Sequence, residues 1–420
     1  MSAREALDVL VVGAGPAGLA AATELRRMGA GAVVVVEREA QPGGIPRHAD
    51  HPGFGLRDLH RAVSGPEYAR RRAELATSAG AELRTATQVT GWGSDGRLEA
   101  TSPRGRRSLA ARAVVLATGC RERPRSARLV AGSRPQGVMT TGMLQQLVYL
   151  CGEAPGRRAV VVGAEHVSFS ALLTLAQGGA RAVAMVTAQP RHQSYAVVRA
   201  AAAARFRTPL LTSAEVTAIH GRRRVEAVEI TSLRSGERRE VECDLVVFTA
   251  DWIPDHELAV LGAAALDPGT RGPAVDASGR TTRPGVFAAG NVLHGAESAD
   301  VAALSGRHVA LAVLRHLRGE PWPARAVAVG VDPPLHWIAP NLVVAPAGRP
   351  PRTRHLLRAR RELVAPSVRV EQDGRSLWAG RLPTVTSGRS ARLPAGWTAR
   401  VDPGGGPVGV RVAAARVRSS

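Results

Sequence analysis

The feature that most constrains this chain lies near its start. The apolar run Asp8–Val12 passes into Gly13-Ala14-Gly15-Pro16-Ala17-Gly18 and then into an Ala- and Leu-rich segment. Gly13 permits a tight turn, Gly15 lets the backbone approach a pyrophosphate, and Gly18 allows a helix to pack closely on the preceding strand. The free N–H groups and dipole at such a helix start attract phosphate anions. A second apolar run, Ala32–Glu37, ends in a carboxylate suited to accepting hydrogen bonds from ribose hydroxyls. Strand Asp8–Val12, helix Ala17–Met28 and strand Ala32–Glu37 therefore read as a βαβ unit that holds an adenine dinucleotide.

The rest of the chain is organised around that unit. Residues 56–80 read as largely helical, Leu83–Gln88 and 97–109 as short strands, and Ala113–Ala117 as a buried strand. A second βαβ pattern follows: strand Ala159–Val162, a helix near Ser168–Gln177, and strand Ala182–Thr187. Val225–Ile230 with Arg238–Glu242 reads as a hairpin, Leu245–Thr249 and Gly285–Ala289 as apolar strands, and Ala299–Leu317 as a helix. Beyond Pro321-Trp322-Pro323, Pro becomes frequent and short alternating runs appear. There Ser367–Gln372, Asp373-Gly374 and Arg375–Leu382 form a hairpin signal, because Asp-Gly supplies the positive φ angles of a tight turn. The expected architecture is α/β. A first dinucleotide domain spans 1–155 and 271–325, a second Rossmann-like domain is inserted at 156–270, and a small all-β, sandwich-like domain covers 326–420.

Charge and cysteines narrow the function classes. The net charge is +21, and every one of the 56 basic residues is Arg. With abundant Ala, Gly and Pro, this reads as compositional bias. No nucleic-acid motif accompanies it, so no specific nucleic-acid partner is expected. Residues 351–420 carry 14 Arg against Glu362, Glu371, Asp373 and Asp402, a solvated basic surface or a face for an acidic partner. No apolar run approaches the roughly 20 residues of a membrane span. Residues Met1–Val12 go straight into a strand, and a cytoplasmic location is expected. Cys120, Cys151 and Cys243 lie far apart without metal-ligand spacing, so no metal is expected and all three thiols read as buried and inert.

Over roughly residues 7–320 the chain resembles the pyridine nucleotide–disulfide reductase superfamily of flavoproteins. Beside the first turn, Val114–Gly119 (VVLATG) resembles the strand and turn next to FAD, and Thr282–Asn291 (TRPGVFAAGN) resembles the second FAD motif. The resemblance implies FAD as cofactor, held by Gly13, Gly15, Pro16, Ala17, Gly18, Glu37, Arg38, Gly44, Ile45, Val89, Ala117, Thr118, Gly119, Gly290, Asn291 and Ala299. Asn291 stands where the superfamily has an acid, and the helix start near Ala299 would stabilise the reduced ring. Residues 117–125 (ATGCRERPR) and 137–147 (GVMTTGMLQQL) are similar to the flavin subunits of opine, proline and sarcosine-type amine dehydrogenases and of hydrogen cyanide synthase. That similarity implies oxidation of a C–N bond.

Two departures shape the functional expectation. No Cys pair follows Gly43-Gly44 or lies in the second domain, so no dithiol relay is expected. The second fingerprint reads Gly163-Ala164-Glu165-His166-Val167-Ser168, with Glu165 where a Gly should admit a pyrophosphate. A carboxylate beside two phosphate charges is unfavourable, and Thr187 ends the next strand in place of an acid or Arg. NAD(P)H is therefore doubtful, unless Arg181 or Arg191 compensates. Arg47, His48 and His51, past the Gly-Gly turn, and His294 are the candidate catalytic residues; loop or solvent roles are the alternative for each. His166 reads as a cap or packing residue, Tyr68 as helix packing, and Trp337 and Trp378 as core of the C-terminal domain. The leading expectation is an FAD-dependent oxidoreductase acting on a small amine, imino acid or opine-like substrate, with a partner subunit or as a homo-oligomer. The alternatives are an NAD(P)H-dependent flavin reductase and a flavin-holding subunit that is idle alone.

Overall fold

The structure, a computed structural model, describes residues 5–295, 297–346 and 348–413; Met1 and the tail arginines Arg416 and Arg418 lie outside these. Two parallel sheets and a β-sandwich make up the described chain.

In the first sheet, strands Glu82–Arg84, Val33–Val36, Glu5–Val12, Gly105–Leu116 and Val286–Ala288 run parallel in that order. All four valines of Val33–Val36 are buried, as expected of a parallel strand covered on both faces. Helices Pro16–Arg27 and Ala299–Leu317 cover one face, where Leu19, Leu25, Val309 and Val313 join Val9, Val11, Val35 and Val115 in one core. On the other face, Leu10, Val34 and Leu116 pack with Val89 and Leu98 of the antiparallel strands Gln88–Trp92 and Leu98–Ser102 and with Leu258.

Between Gly105–Leu116 and Val286–Ala288 the chain builds the second sheet. Its strands, in order Val138–Thr140, Leu245–Phe248, Arg158–Val162, Arg181–Thr187 and Leu210–Thr212, are all parallel. Helix His166–Gln177 packs Phe169, Leu172 and Leu175 onto it. The two crossings between the sheets pair with each other, Cys120–Glu122 antiparallel to Trp252–Pro254. Arg123 bonds Asp251 at 3.1 Å across them, and Arg128 donates to the carbonyls of Thr249 and Ala250 at 2.8 Å each. The ATGCRERPR segment is thus the fastening between the two parallel sheets.

The C-terminal strands form a five-stranded and a three-stranded sheet around one core that includes Val329, Leu357, Val370, Leu393, Trp397 and Val410. This is a sandwich, as expected, and Asp373 and Gly374 turn its hairpin with φ of 47° and 77°.

Several expectations need correction. The helix expected over 56–80 is only Gly65–Ser78, because Ser64 Oγ caps Glu67 N at 3.4 Å and Pro66 sits in the first turn. Leu83–Gln88 is two strand ends with a break, and Ala113–Ala117 is the end of the long strand Gly105–Leu116. Strand Ala214–His220, paired to Ala227–Ser232, and the short strand Ala131–Gly132 beside it extend the expected hairpin to a four-stranded sheet. Trp378 packs against the sandwich core, but Trp337, buried at 3% exposure, stacks on His294 instead. Of the three thiols only Cys243 is buried; Cys120 is half-buried and Cys151 exposed. Among the described residues no helix is long and apolar enough to cross a membrane.

Candidate functional site

Gly13, at φ +103°, has the carbonyl oxygen of Ala117 only 2.5 Å from where a Cβ would stand. A Cβ on Gly18 would lie 1.9 Å from the Gly13 oxygen, so helix and strand touch through these two glycines. Gly15 differs, with nothing within 4 Å of its Cβ position. The helix Pro16–Arg27 begins at that open space with no side-chain cap, leaving its first N–H groups for an anion. Glu37, 8% exposed, holds the turn through its carboxylate: Oε2 accepts from Ala14 N at 2.8 Å and Oε1 from Glu39 N at 2.9 Å. Each oxygen keeps further acceptor capacity for a hydroxyl.

This turn forms one wall of a cavity of about 1740 Å³. Gly13, Gly15, Pro16, Ala17, Glu37 and Arg38 line it, with Gly44, Ile45 and Val89 beside them. Ala117, Thr118 and Gly119 continue the wall, and Gly290, Asn291 and Ala299 close it. Gly18 lies behind the wall as a packing residue. An adenine dinucleotide fits this arrangement: an unblocked glycine, an uncapped helix start and a carboxylate with spare lone pairs. Asn291 is committed to its own loop, Nδ2 donating to the Glu297 carbonyl at 3.0 Å and Oδ1 accepting from Glu297 N at 3.1 Å. A carboxylate could not make the first of these bonds.

Arg47, His48, His51 and His294 all line the same cavity, in different states. Arg47 pairs with Glu39 at 3.3 Å. His48 is buried, its Nδ1 has no partner, and burial holds its pKa below the usual imidazole value. The two nitrogens of His51 are both engaged, Nδ1 with the Pro52 carbonyl at 3.0 Å and Nε2 with Ser170 Oγ at 2.7 Å. Since a carbonyl only accepts, Nδ1 carries the proton and Nε2 is the basic nitrogen. Ser170 belongs to helix His166–Gln177 and also accepts from Gln145 Nε2 at 3.0 Å. The imidazole of His294 contacts the Gly295 carbonyl at 3.1 Å through Nδ1 and stacks on Trp337 with centroids 4.9 Å apart. Burial lowers its pKa while Glu297 opposes the shift. The sequence offered no signal for Ser170, Gln145 or Trp337 as cavity residues, because their partners are remote in the chain.

The second fingerprint has the same outline and a different content. Glu165 precedes helix His166–Gln177, and its carboxylate curls back over the turn. Oε2 accepts from Ala164 N at 3.1 Å and Ser168 Oγ at 3.0 Å, with Thr249 Oγ1 3.2 Å away, while Glu165 N donates to Ser168 Oγ at 3.1 Å. A Cβ on Gly163 would stand 2.6 Å from Oε2. Gln193 N donates to the Ala164 carbonyl at 3.0 Å, and Gly388 of the sandwich packs directly on Gln193. Arg191 is ion-paired to Glu362 of the sandwich. Arg181 opens the strand that Thr187 closes, about 20 Å from the fingerprint edge by strand rise. Neither arginine is free to replace the missing acid or Arg at Thr187. His166 packs as expected, bonding Ser194 Oγ at 2.6 Å, with its ring tilted against Tyr195 at a centroid distance of 4.6 Å. Tyr68, fully buried, donates to Asp58 Oδ2 at 2.8 Å.

Comparison with known proteins places this geometry. The sequence model of the family described as pyridine nucleotide-disulphide oxidoreductase matches residues 7–306. A chain of the opine oxidase of Rhizobium meliloti, named as one of that enzyme's subunits, is 29% identical over 342 residues, covering 74% of this chain; the chain spans only 63% of that relative's length. Thioredoxin reductase of Treponema pallidum is 27% identical over 297 residues, covering 68% of this chain and 88% of its own. Among solved structures, thioredoxin reductase of T. acidophilum shares the fold with a TM-score of 0.61 at 23% identity, over 74% of this chain and 98% of its own.

Proposed function

The chain belongs to the pyridine nucleotide-disulphide oxidoreductase family, and from that premise we propose that it is an FAD-dependent oxidoreductase that oxidises a small amine, imino acid or opine-like compound. The observation that carries this reading is the contrast between an open anion site at Gly15 and one filled by the chain's own carboxylate at Glu165. The free amides of Gly15, Ala17 and Gly18 at the start of helix Pro16–Arg27 would hold the FAD diphosphate, and Glu37 would accept from a ribose hydroxyl. The second site takes no NAD(P)H, so electrons enter from substrate.

Three further features support the reading. Cys120, Cys151 and Cys243 sit in different surroundings, half-buried, exposed and buried in turn, which favours amine chemistry over a dithiol relay. The opine oxidase relative is itself named as a subunit, which favours a partner that completes the assembly. His51 Nε2 and Ser170 Oγ, 2.7 Å apart, offer a base and a relay at the cavity wall. The flavin supplies hydride acceptance from the carbon bearing the nitrogen. His51 takes the proton from that nitrogen, the imine leaves to be hydrolysed by water, and an external acceptor such as oxygen, a quinone or a partner protein removes the two electrons.

Anaerobic mixing of flavin-loaded protein with a panel of secondary amines, imino acids and opines tests the proposal. Loss of flavin absorbance with at least one of them is expected, slowed strongly in His51→Asn. No bleaching across the panel, in the presence of rapid bleaching by NADH or NADPH, would overturn it.

A further inference from the structure

The three-stranded sheet of the sandwich turns one face to its own core and the other to the cavity. On strand Arg354–Ala359, His355, Leu357 and Ala359 are buried inward, while Arg354, Leu356 and Arg358 alternate outward and line the cavity. Trp337, in register with Arg358 on the neighbouring strand, shares that outward face. Its ring lies 5.4 Å from the Arg358 guanidinium and stacks on His294, just beyond the second FAD motif.

Arg358 is short of acceptors. Its one hydrogen bond goes from Nη2 to the Gly388 carbonyl at 3.3 Å, and its Nε is buried without a partner. Among the described residues no carboxylate forms an ion pair with it. The adjacent Arg389 repeats the pattern: its Nε is also buried and unpartnered, and its guanidinium sits 4.8 Å above the Tyr195 ring. Arg358 reaches the Gly388 carbonyl, one residue before Arg389, and both arginines line the cavity wall. Their planar forks match a carboxylate in two-pronged geometry; the charges of Glu297 and Glu165 act on Arg358 without forming an ion pair with it, so its fork keeps donors for an incoming anion.

We propose that Arg358 and Arg389, contributed by the C-terminal sandwich, form the subsite for a substrate carboxylate, so that this enzyme selects amines that carry one. The inference rests on the amine-oxidising reading above. The sandwich, outside the matched family region, then completes the cavity instead of merely capping it. Trp337 and His294 hold Arg358 at its height above the second FAD motif.

Calorimetric titration of the flavin-loaded protein with iminodiacetate, a secondary amine flanked by two carboxylates, tests this independently of turnover. Wild type and Arg411→Gln, on the other sheet, should bind alike. Arg358→Gln and Arg389→Gln should each weaken binding at least about tenfold, Arg358→Lys by less, and diethylamine should not bind. Flavin content and melting temperature report folding; if Arg358→Gln unfolds, Arg358→Lys and Arg389→Gln carry the test. Equal affinity across folded variants overturns the subsite, as does failure of iminodiacetate, sarcosine and L-proline all to bind wild type. Weakened NADPH binding with unchanged NADH binding in the variants would also overturn it, by assigning the arginines to a phosphate. If pyrrolidine bleaches the flavin equally in wild type and Arg358→Gln, while iminodiacetate binds both with equal affinity, the subsite fails and the proposed function stands. Binding of carboxylates without bleaching by any amine would do the reverse.

Discussion

The turns Gly13–Gly18 and Gly163–Ser168 share a scaffold, a parallel strand running into a helix, and they treat an anion oppositely. At the first, the helix start is uncapped and Gly15 leaves 4 Å of open space. At the second, Glu165 sits at that same step, and its carboxylate accepts from Ala164 N and Ser168 Oγ within the turn. The sandwich then packs on it through Gly388 and the Arg191–Glu362 pair. An intramolecular carboxylate has no translational freedom to lose, so it competes strongly with a diffusing dinucleotide. One residue thus separates an open turn from a self-satisfied one, and the contrast can be tested residue by residue.

The largest effect should come from moving the second site's residue into the first. Gly15→Glu places a carboxylate beside the diphosphate, an opposition on the order of 4 kcal/mol at about 4 Å and an effective dielectric near 20. Flavin should be lost on gel filtration while the apoprotein's melting temperature stays put, because nothing crowds that position. Full flavin retention would break the comparison.

Acid should act next, on the cover. His355, buried in the sandwich with Nε2 unpartnered, has its pKa pushed down to about 4. The folded state therefore keeps it neutral while the unfolded chain protonates it near 6.5. Its contribution is intact above pH 6.5 and is lost as pH falls toward about 4, in total about 3 kcal/mol. Urea midpoints measured from pH 7 to 4 should fall accordingly, and His355→Gln should flatten that part of the slope.

Glu165→Gly should cost about 1 kcal/mol of stability through loss of the helix cap, read by urea unfolding, with flavin content unchanged. It should not confer reduction by NADH, since Gly388 still packs on Gln193 beside the turn. The smallest effect belongs to Glu362→Gln: the Arg191 side chain is 61% exposed, so less than about 1 kcal/mol is expected from chemical denaturation.

What the sequence disclosed divides along the same line. The first turn was legible because strand, glycines, helix and terminal acid are local, and helix Ala299–Leu317 matched its expected bounds. Glu165 stood out in the sequence as a carboxylate in place of a glycine, but its bonds back to Ala164 N and Ser168 Oγ did not. Contacts made at long separation left no local trace. His51 meets Ser170 119 residues away and Arg191 meets Glu362 171 residues away. The outward face of Arg354–Ala359 could be read only as an alternating strand, since the cavity it roofs is built by residues far from it in the chain. The helix expected from residue 56 failed because the Ser64-Gly65-Pro66 start lies inside an otherwise helix-compatible stretch.

The proposed function has electrons enter from an amine and not from a nicotinamide. Anaerobic titration of the flavin-loaded protein with NADH and with NADPH, followed by flavin absorbance, is its most direct test. The expected result is an oxidised spectrum that persists through several equivalents of each. Stoichiometric bleaching by either nucleotide on the timescale of turnover would contradict it.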